Sequence, residues 1–345
     1  MQYVSDWENL KARCTRWWNK ELDTPLIQLF VNSARDNTWD PWRLVHNLDD
    51  VEGTLRAHTE YRSKLAYELD AFPHFGVEFG PGIVASALGA SVTVRPDTVW
   101  LRRTPPIEIG EALSWDWDND WYRRVRDVTK HVARHAEGRF MVGIPSHSGS
   151  LDLLSMLRHS DRLLLDMKLE PECVSAWMRN LTRFWLESFR RFYNLVAPYQ
   201  VGFSTPMPIW CPGSWYPVQA DMAAMISPDD FGTFVLPDIE TIAGELDYTI
   251  YHLDGPGQIP HVDLLLSVPE LDGIQWIPGA GEEGAASPKW YPLLRHIQEG
   301  GKLVVLLDIE AEEVRPLFQN ISPRNVLLTV RSNQPGDRDL LASYL

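Results

Sequence analysis

Eight short apolar runs, rich in β-branched residues, recur along the 345-residue chain with helix-like segments between them, and this alternation restricts the fold more than any single motif. The runs are Pro25 to Asn32, His74 to Gly80, Phe140 to His147, Tyr199 to Ser204, Tyr248 to Leu253, Gly273 to Ile277, Lys302 to Asp308 and Asn325 to Val330. Short continuous apolar runs suit strands covered on both faces. The segments between them carry helix punctuation. Ser5 and Glu8 form a capping-box pattern, Pro171 sits where a first-turn proline belongs, and Pro228 and Pro288 do so directly after Ser227 and Ser287. Gly300 and Gly301 read as a helix stop before the seventh run. The pattern predicts an α/β fold: a single (β/α)8 TIM barrel over residues 1–345, with an N-terminal helix and a long insertion after strand 2. An open doubly wound sheet is the alternative, and no Gly-x-Gly-x-x-Gly turn follows the first run to support it.

Inside the insertion, Ser91 to Val94 and Thr98 to Leu101 read as a hairpin around Arg95-Pro96-Asp97, and Trp121 to Ala136 as a helix. An insertion of this size serves as a lid or as an oligomer contact.

Charge and cysteine usage exclude several partner classes. A formal net charge of -15 opposes phosphate-backbone binding, so nucleic acid is not an expected partner. No apolar stretch reaches the ~20 residues that cross a bilayer. Asp6, Glu8, Lys11 and Arg13 near the start replace the apolar centre of a signal peptide, and a cytoplasmic location is expected. Cys14, Cys173 and Cys211 are odd in number and far apart, which argues against a disulfide framework or a Cys-x-x-Cys metal knuckle.

The strand ends hold the candidate chemistry. His252-Leu253-Asp254-Gly255 closes the fifth run; residues two apart point to one side of a strand, so His252 and Asp254 reach the same edge before Gly255 turns the chain. Glu78 ends the second run among apolar neighbours, where burial disfavours its charge, and His147 ends the third. Arg35 and Arg331 can hold an anionic group, and Asp308 reads as a cap for the helix that follows it. Fifteen tryptophans form the second signal. Trp39 and Trp42 follow the first run, Trp210, Cys211, Trp215 and Tyr216 follow the fourth, and Trp276 closes the sixth; bulky rings there are expected to wall a ligand pocket.

Four stretches together resemble the uroporphyrinogen decarboxylase superfamily, which includes the decarboxylase and the corrinoid-dependent methyltransferases. They are Phe79-Gly80-Pro81-Gly82 with Leu88-Gly89; Leu163-Leu164-Leu165-Asp166 before Pro171; Ile226-Ser227-Pro228-Asp229-Asp230-Phe231 running to Phe234-Val235-Leu236-Pro237; and His252-Leu253-Asp254-Gly255. The resemblance implies an eight-stranded barrel with a small-molecule site at its mouth. Both well-known branches are altered here. The arginine-rich signature of the decarboxylase, Arg-Gln-Ala-Gly-Arg, is replaced by Asn32-Ser33-Ala34-Arg35-Asp36-Asn37, so uroporphyrinogen itself is not the expected substrate. The thiol-activating methyltransferases hold zinc with His-x-Cys and a later cysteine; here Asp254 replaces the first cysteine, and Arg331-Ser332-Asn333 leaves no second one.

The expected function is methyl transfer on a small molecule in a Trp-rich pocket. His252 and Asp254 orient or deprotonate the reactant, and Glu78 or His147 is the second acid/base group. The chain has no Asp-x-His-x-x-Gly corrinoid motif, so a corrinoid is expected only on a separate partner protein. Zinc is not expected to bind tightly; any ion would sit on His252 and Asp254. The alternatives are a lyase or decarboxylase acting on another small carboxylate, a glycoside-active enzyme, and a non-catalytic binding protein on the same barrel.

Overall fold

The computed structural model describes all residues except Ser33, Arg35, Asp36 and Pro335. Eleven strands are present among the described residues: β1 (Leu26–Val31), β2 (Ala66–Leu69), β3 (His74–Gly76), β4 (Ser91–Arg95), β5 (Thr98–Arg102), β6 (Met141–Gly143), β7 (Trp215–Gln219), β8 (Tyr248–Asp254), β9 (Gly273–Ile277), β10 (Leu303–Ile309) and β11 (Val326–Ser332). The central sheet has seven of them in the order β2-β1-β11-β10-β9-β8-β7, all parallel neighbours except β2, which runs antiparallel to β1. The short strands β3 and β6 form a separate parallel pair, and β4 with β5 forms the expected hairpin.

Burial explains why these runs are strands. Residues Leu303 to Leu306 and Val326 to Val330 are buried along their whole length, as parallel strands must be when helices cover them. The longest cover is the helix Pro171–Val196, entered on a first-turn proline. It buries Val174, Trp177, Met178, Leu181, Trp185, Phe189, Phe192 and Val196, the three- and four-residue spacing of one helical face.

The α/β character and the mostly parallel sheet follow the expectation, but the hydrogen bonding of the described residues does not close into a ring. Two places account for this. β2 occupies the edge of β1, pairing Gln28 with Leu69 and Phe30 with Tyr67, where closure would need β3. The fourth expected strand, Tyr199 to Ser204, is reduced to two isolated bridges, Gly143 with Ser204 and Phe203 with Cys211. Pro206 and Pro208 follow, with no N–H to give to a ladder. The polar groups of this loop are taken up instead by side chains: His74 Nε2 donates to the Thr205 carbonyl at 3.0 Å, and Gln28 Nε2 to that of Pro208 at 2.8 Å.

The strand that belongs at this point of the sheet is β7, a segment the sequence analysis assigns to a loop. Pro217 obscures it. An edge strand tolerates a proline because the missing N–H faces no partner, and β7 pairs only with β8. At the other end, Asp6 rather than Ser5 caps the first helix, accepting from Asn9 N at 3.0 Å.

Candidate functional site

The strand register defines one face of the central sheet. Gln219, His252, Gln275, Val305 and Leu327 are successive partners across β7 to β11, so their side chains share a side. With a period of two, Asp254, Leu307, Thr329 and Arg331 lie on the same side nearer the C-terminal ends of their strands.

At the β7–β8 end of that face, Asp221, His252 and Asp254 converge. Each offers a ligand atom, and the three atoms lie within 4.8 Å of one another. Asp221 belongs to the turn just after β7, and Gly255, at φ 81°, ends β8 directly after Asp254. His252 Nδ1 donates to Gln275 Oε1 at 2.7 Å, which leaves Nε2 as the ring's acceptor. Burial, then the charges of Asp152 and Asp254, push Asp221 up to about 8, against a hydrogen bond from Gln219 Nε2 that lowers it.

Asp152 holds this turn in place. Its carboxylate accepts from the backbone N–H of Asp221 at 3.1 Å and of Met222 at 2.9 Å, and from Gly149 N and Ser148 Oγ at 3.3 Å. Gly149 permits the approach, since a Cβ there would stand 1.7 Å from the carbonyl oxygen of Gln219. Neither Asp221 nor Asp152 is anticipated from the sequence; reading Trp215 to Gln219 as a strand would have placed Asp221 at its C-terminal end.

The remaining expected site residues scatter. His147 is fully buried in a box of Trp185, Phe189, Phe192 and Tyr216. Its Nδ1 donates to the Pro145 carbonyl at 2.8 Å, its Nε2 accepts from Ser188 Oγ at 3.1 Å, and burial pulls its pKa down to about 4. Glu78 accepts from Gly80 N at 2.6 Å, and burial raises its pKa against that bond.

The expected aromatic wall is corrected by the fold. Trp215 and Tyr216 lie in β7 and Trp276 in β9, all fully buried; Trp276 packs 4.8 Å from Trp290, and the Tyr216 hydroxyl accepts from His147 N. Trp210 and Cys211 are also core residues, the first donating from Nε1 to the Val201 carbonyl and the second bridging to Phe203. The sequence reading puts Trp215 and Tyr216 in a loop because it misses β7, whereas it has Trp276 at a strand end. Trp42 is half-buried against the core and starts the short helix Arg43–His46.

Trp39 does line a cavity, of about 380 Å³, together with Phe30, His58, Arg62, His74 and Arg331. Phe30, Leu307, Thr329 and Arg331 belong to the sheet face that also bears His252, but none of the three converging residues lines this cavity. Arg331 is paired with Asp308 at 2.6 Å. Asp308 therefore does not cap the next helix, whose N-cap is Glu310 in a capping box with Glu313. Arg35 lies outside the described residues.

No helix among the described residues is long and apolar enough to cross a membrane. No protein-family model matches the sequence, and no curated protein matches it. Among solved structures, the chain is similar to a methyltransferase from Methanosarcina mazei at 12% identity, with 97% of each chain covered and a TM-score of 0.61. That likeness is one of fold.

Proposed function

We propose that the protein is a divergent member of the uroporphyrinogen decarboxylase superfamily, its eight parallel strands forming one barrel opened at β2, and that it transfers a methyl group at the Asp221–His252–Asp254 cluster. The observation that carries this reading is the convergence of those three ligand atoms within 4.8 Å, at the strand ends where barrel enzymes place their chemistry. Two things support it: the fold likeness to a methyltransferase, and the position of His252-x-Asp254 where the thiol-activating branch has His-x-Cys.

The donor set fits a divalent cation. One imidazole nitrogen and two carboxylates suit a three-ligand site with open positions for a reactant, while thiolate ligation is absent because Cys211 is sealed in the core. The crowding of Asp221 and Asp254 beside the buried Asp152 is a field that a cation relieves. Such an ion supplies Lewis acidity, which lowers the pKa of a bound thiol or hydroxyl acceptor and makes it nucleophilic at neutral pH. The chain's own residues do the positioning. Gln275 fixes the His252 ring so that Nε2 is presented, and Asp152 fixes the turn that carries Asp221. The methyl donor in this reading is a corrinoid carried by a separate protein.

The test is to load the purified chain with zinc and follow demethylation of methylcobalamin with a small thiol as acceptor. Stoichiometric ion and ion-dependent demethylation, both lost in His252→Ala, are expected. A wild-type chain that neither retains an ion nor demethylates overturns the reading.

One observation favours a second reading. A carboxyl at about 8 is largely protonated at neutral pH, which suits Asp221 to deliver the proton that replaces carbon dioxide in a decarboxylation. Turnover of a small carboxylate that persists in chelator and is lost in Asp221→Asn would select it.

A further inference from the structure

Arg62 is a charged side chain for which the described residues supply no acid. It projects from the helix Val51–Ser63, is 2% exposed, and its Nε and Nη1 have no hydrogen-bond partner. Its guanidinium lies over the ring of Phe140 at 3.8 Å. That contact leaves the Nε and Nη1 donors unmet. Burial lowers its pKa to about 10, so the group stays charged at neutral pH. A buried cation with unmet donors is costly, which makes the missing partner the question to answer.

The surroundings state what that partner is. Arg62 lines the cavity of about 380 Å³ between β1–β2 and β3, a volume within the range of small-molecule sites. Two imidazole rings, His58 and His74, share the wall; Nδ1 of His58 is buried with no partner among the described residues. Burial first, and then the Arg62 charge, holds His58 well below its ordinary pKa, and burial takes His74 down to about 4. Among the described residues the single carboxylate in the wall is Asp308, committed to Arg331. Flat apolar rings form another part of the wall: Trp39 stands edge-on 4.7 Å from His58, and Phe75 4.5 Å from it.

We propose that this cavity binds a small organic carboxylate with a flat apolar body, its carboxylate taken by Arg62 and its body lying against Trp39 and Phe75. Arg62 supplies a charge-assisted donor for the carboxylate, and the aromatic rings supply the area that holds the remainder. The site is independent of the methyl-transfer reading, because the cavity wall contains none of Asp221, His252 and Asp254. Either can fail without the other.

Benzoate is the probe, benzamide its neutral counterpart of the same shape, and inorganic phosphate an anion without the apolar body. Titrated into the full chain and followed by tryptophan fluorescence and melting temperature, benzoate is expected to give a saturable response that benzamide and phosphate do not. Arg62→Met keeps the apolar stem and removes the unpaired charge, so its ligand-free melting temperature is expected to hold or rise while benzoate affinity falls at least about tenfold. Equal responses to benzoate and benzamide, or to benzoate and phosphate, overturn the proposal, as does an unchanged benzoate affinity in Arg62→Met. Should that variant fail to fold, the three-compound comparison on the wild-type chain still decides.

Discussion

The two ends of one sheet face bury charge of opposite sign, and they differ in how much of that charge the fold itself satisfies. At the β7–β8 end, three carboxylates crowd together, and the innermost, Asp152, receives four donors from its own surroundings. Asp221, beside it, receives one from Gln219 and is pushed up to about 8. At the β1–β3 end, Arg62 has no acid beside it among the described residues. A fully bonded buried charge is a structural part, whereas a buried charge left short of partners points to a ligand. By that measure Asp152 positions, and Arg62 is the charge that the proposed carboxylate would meet.

His147 gives the largest test of this distinction, because it is as buried as Arg62 yet has both ring nitrogens bonded. Its folded pKa of about 4 lies below the 6.5 of an exposed imidazole, so the unfolded chain takes up the proton first. Stability from this ring is complete above pH 6.5 and is lost as pH falls toward 4; at about 1.4 kcal/mol per pH unit the loss is about 3 kcal/mol. Denaturant unfolding of wild type against His147→Gln across that window should show the wild type's steeper decline, with benzoate binding untouched at pH 7. Parallel pH profiles would move His147 out of the satisfied class.

A smaller effect separates positioning from ligation. Asp152→Asn preserves shape but turns an amide toward backbone N–H groups, loosening the Asp221 turn; divalent-ion affinity by calorimetry should fall about tenfold, with the benzoate response unchanged. Unaltered ion affinity would show that the turn holds itself. The smallest effect concerns the ion pair at the cavity's outer edge. Arg331 and Asp308 are 72% and 63% exposed, and Arg331→Ala should change unfolding stability by less than about 0.5 kcal/mol. A larger loss would mean that the cavity edge is as buried as its Arg62 wall.

Seven of the eight expected runs contain a strand of the structure, because apolar β-branched segments between helix caps are local signals and their burial on two faces is written in their composition. The remaining run, Tyr199 to Ser204, holds only isolated bridges, and the strand missing from the expected set, β7, is obscured by Pro217. A proline reads as a break in sequence, and only the pairing of β7 with a single neighbour makes it harmless. That one misplacement turned Trp215 and Tyr216 from strand residues into imagined pocket walls, and hid Asp221.

By itself, the sequence determined the alternation of elements, the helix starts at Pro171, Pro228 and Pro288, the hairpin of β4 and β5, and the placing of His252 and Asp254 on one side of a strand end. These follow from neighbours a few residues apart. Tertiary structure alone decided that β2 takes the edge of β1, that Asp221 joins His252 across 31 residues of chain, and that Arg62 is buried beside Phe140 with no acid at hand among the described residues. Each is a meeting of segments remote in sequence, and whether a charge finds a partner depends on which side chains the fold brings within hydrogen-bond reach, a distance that residue order does not encode.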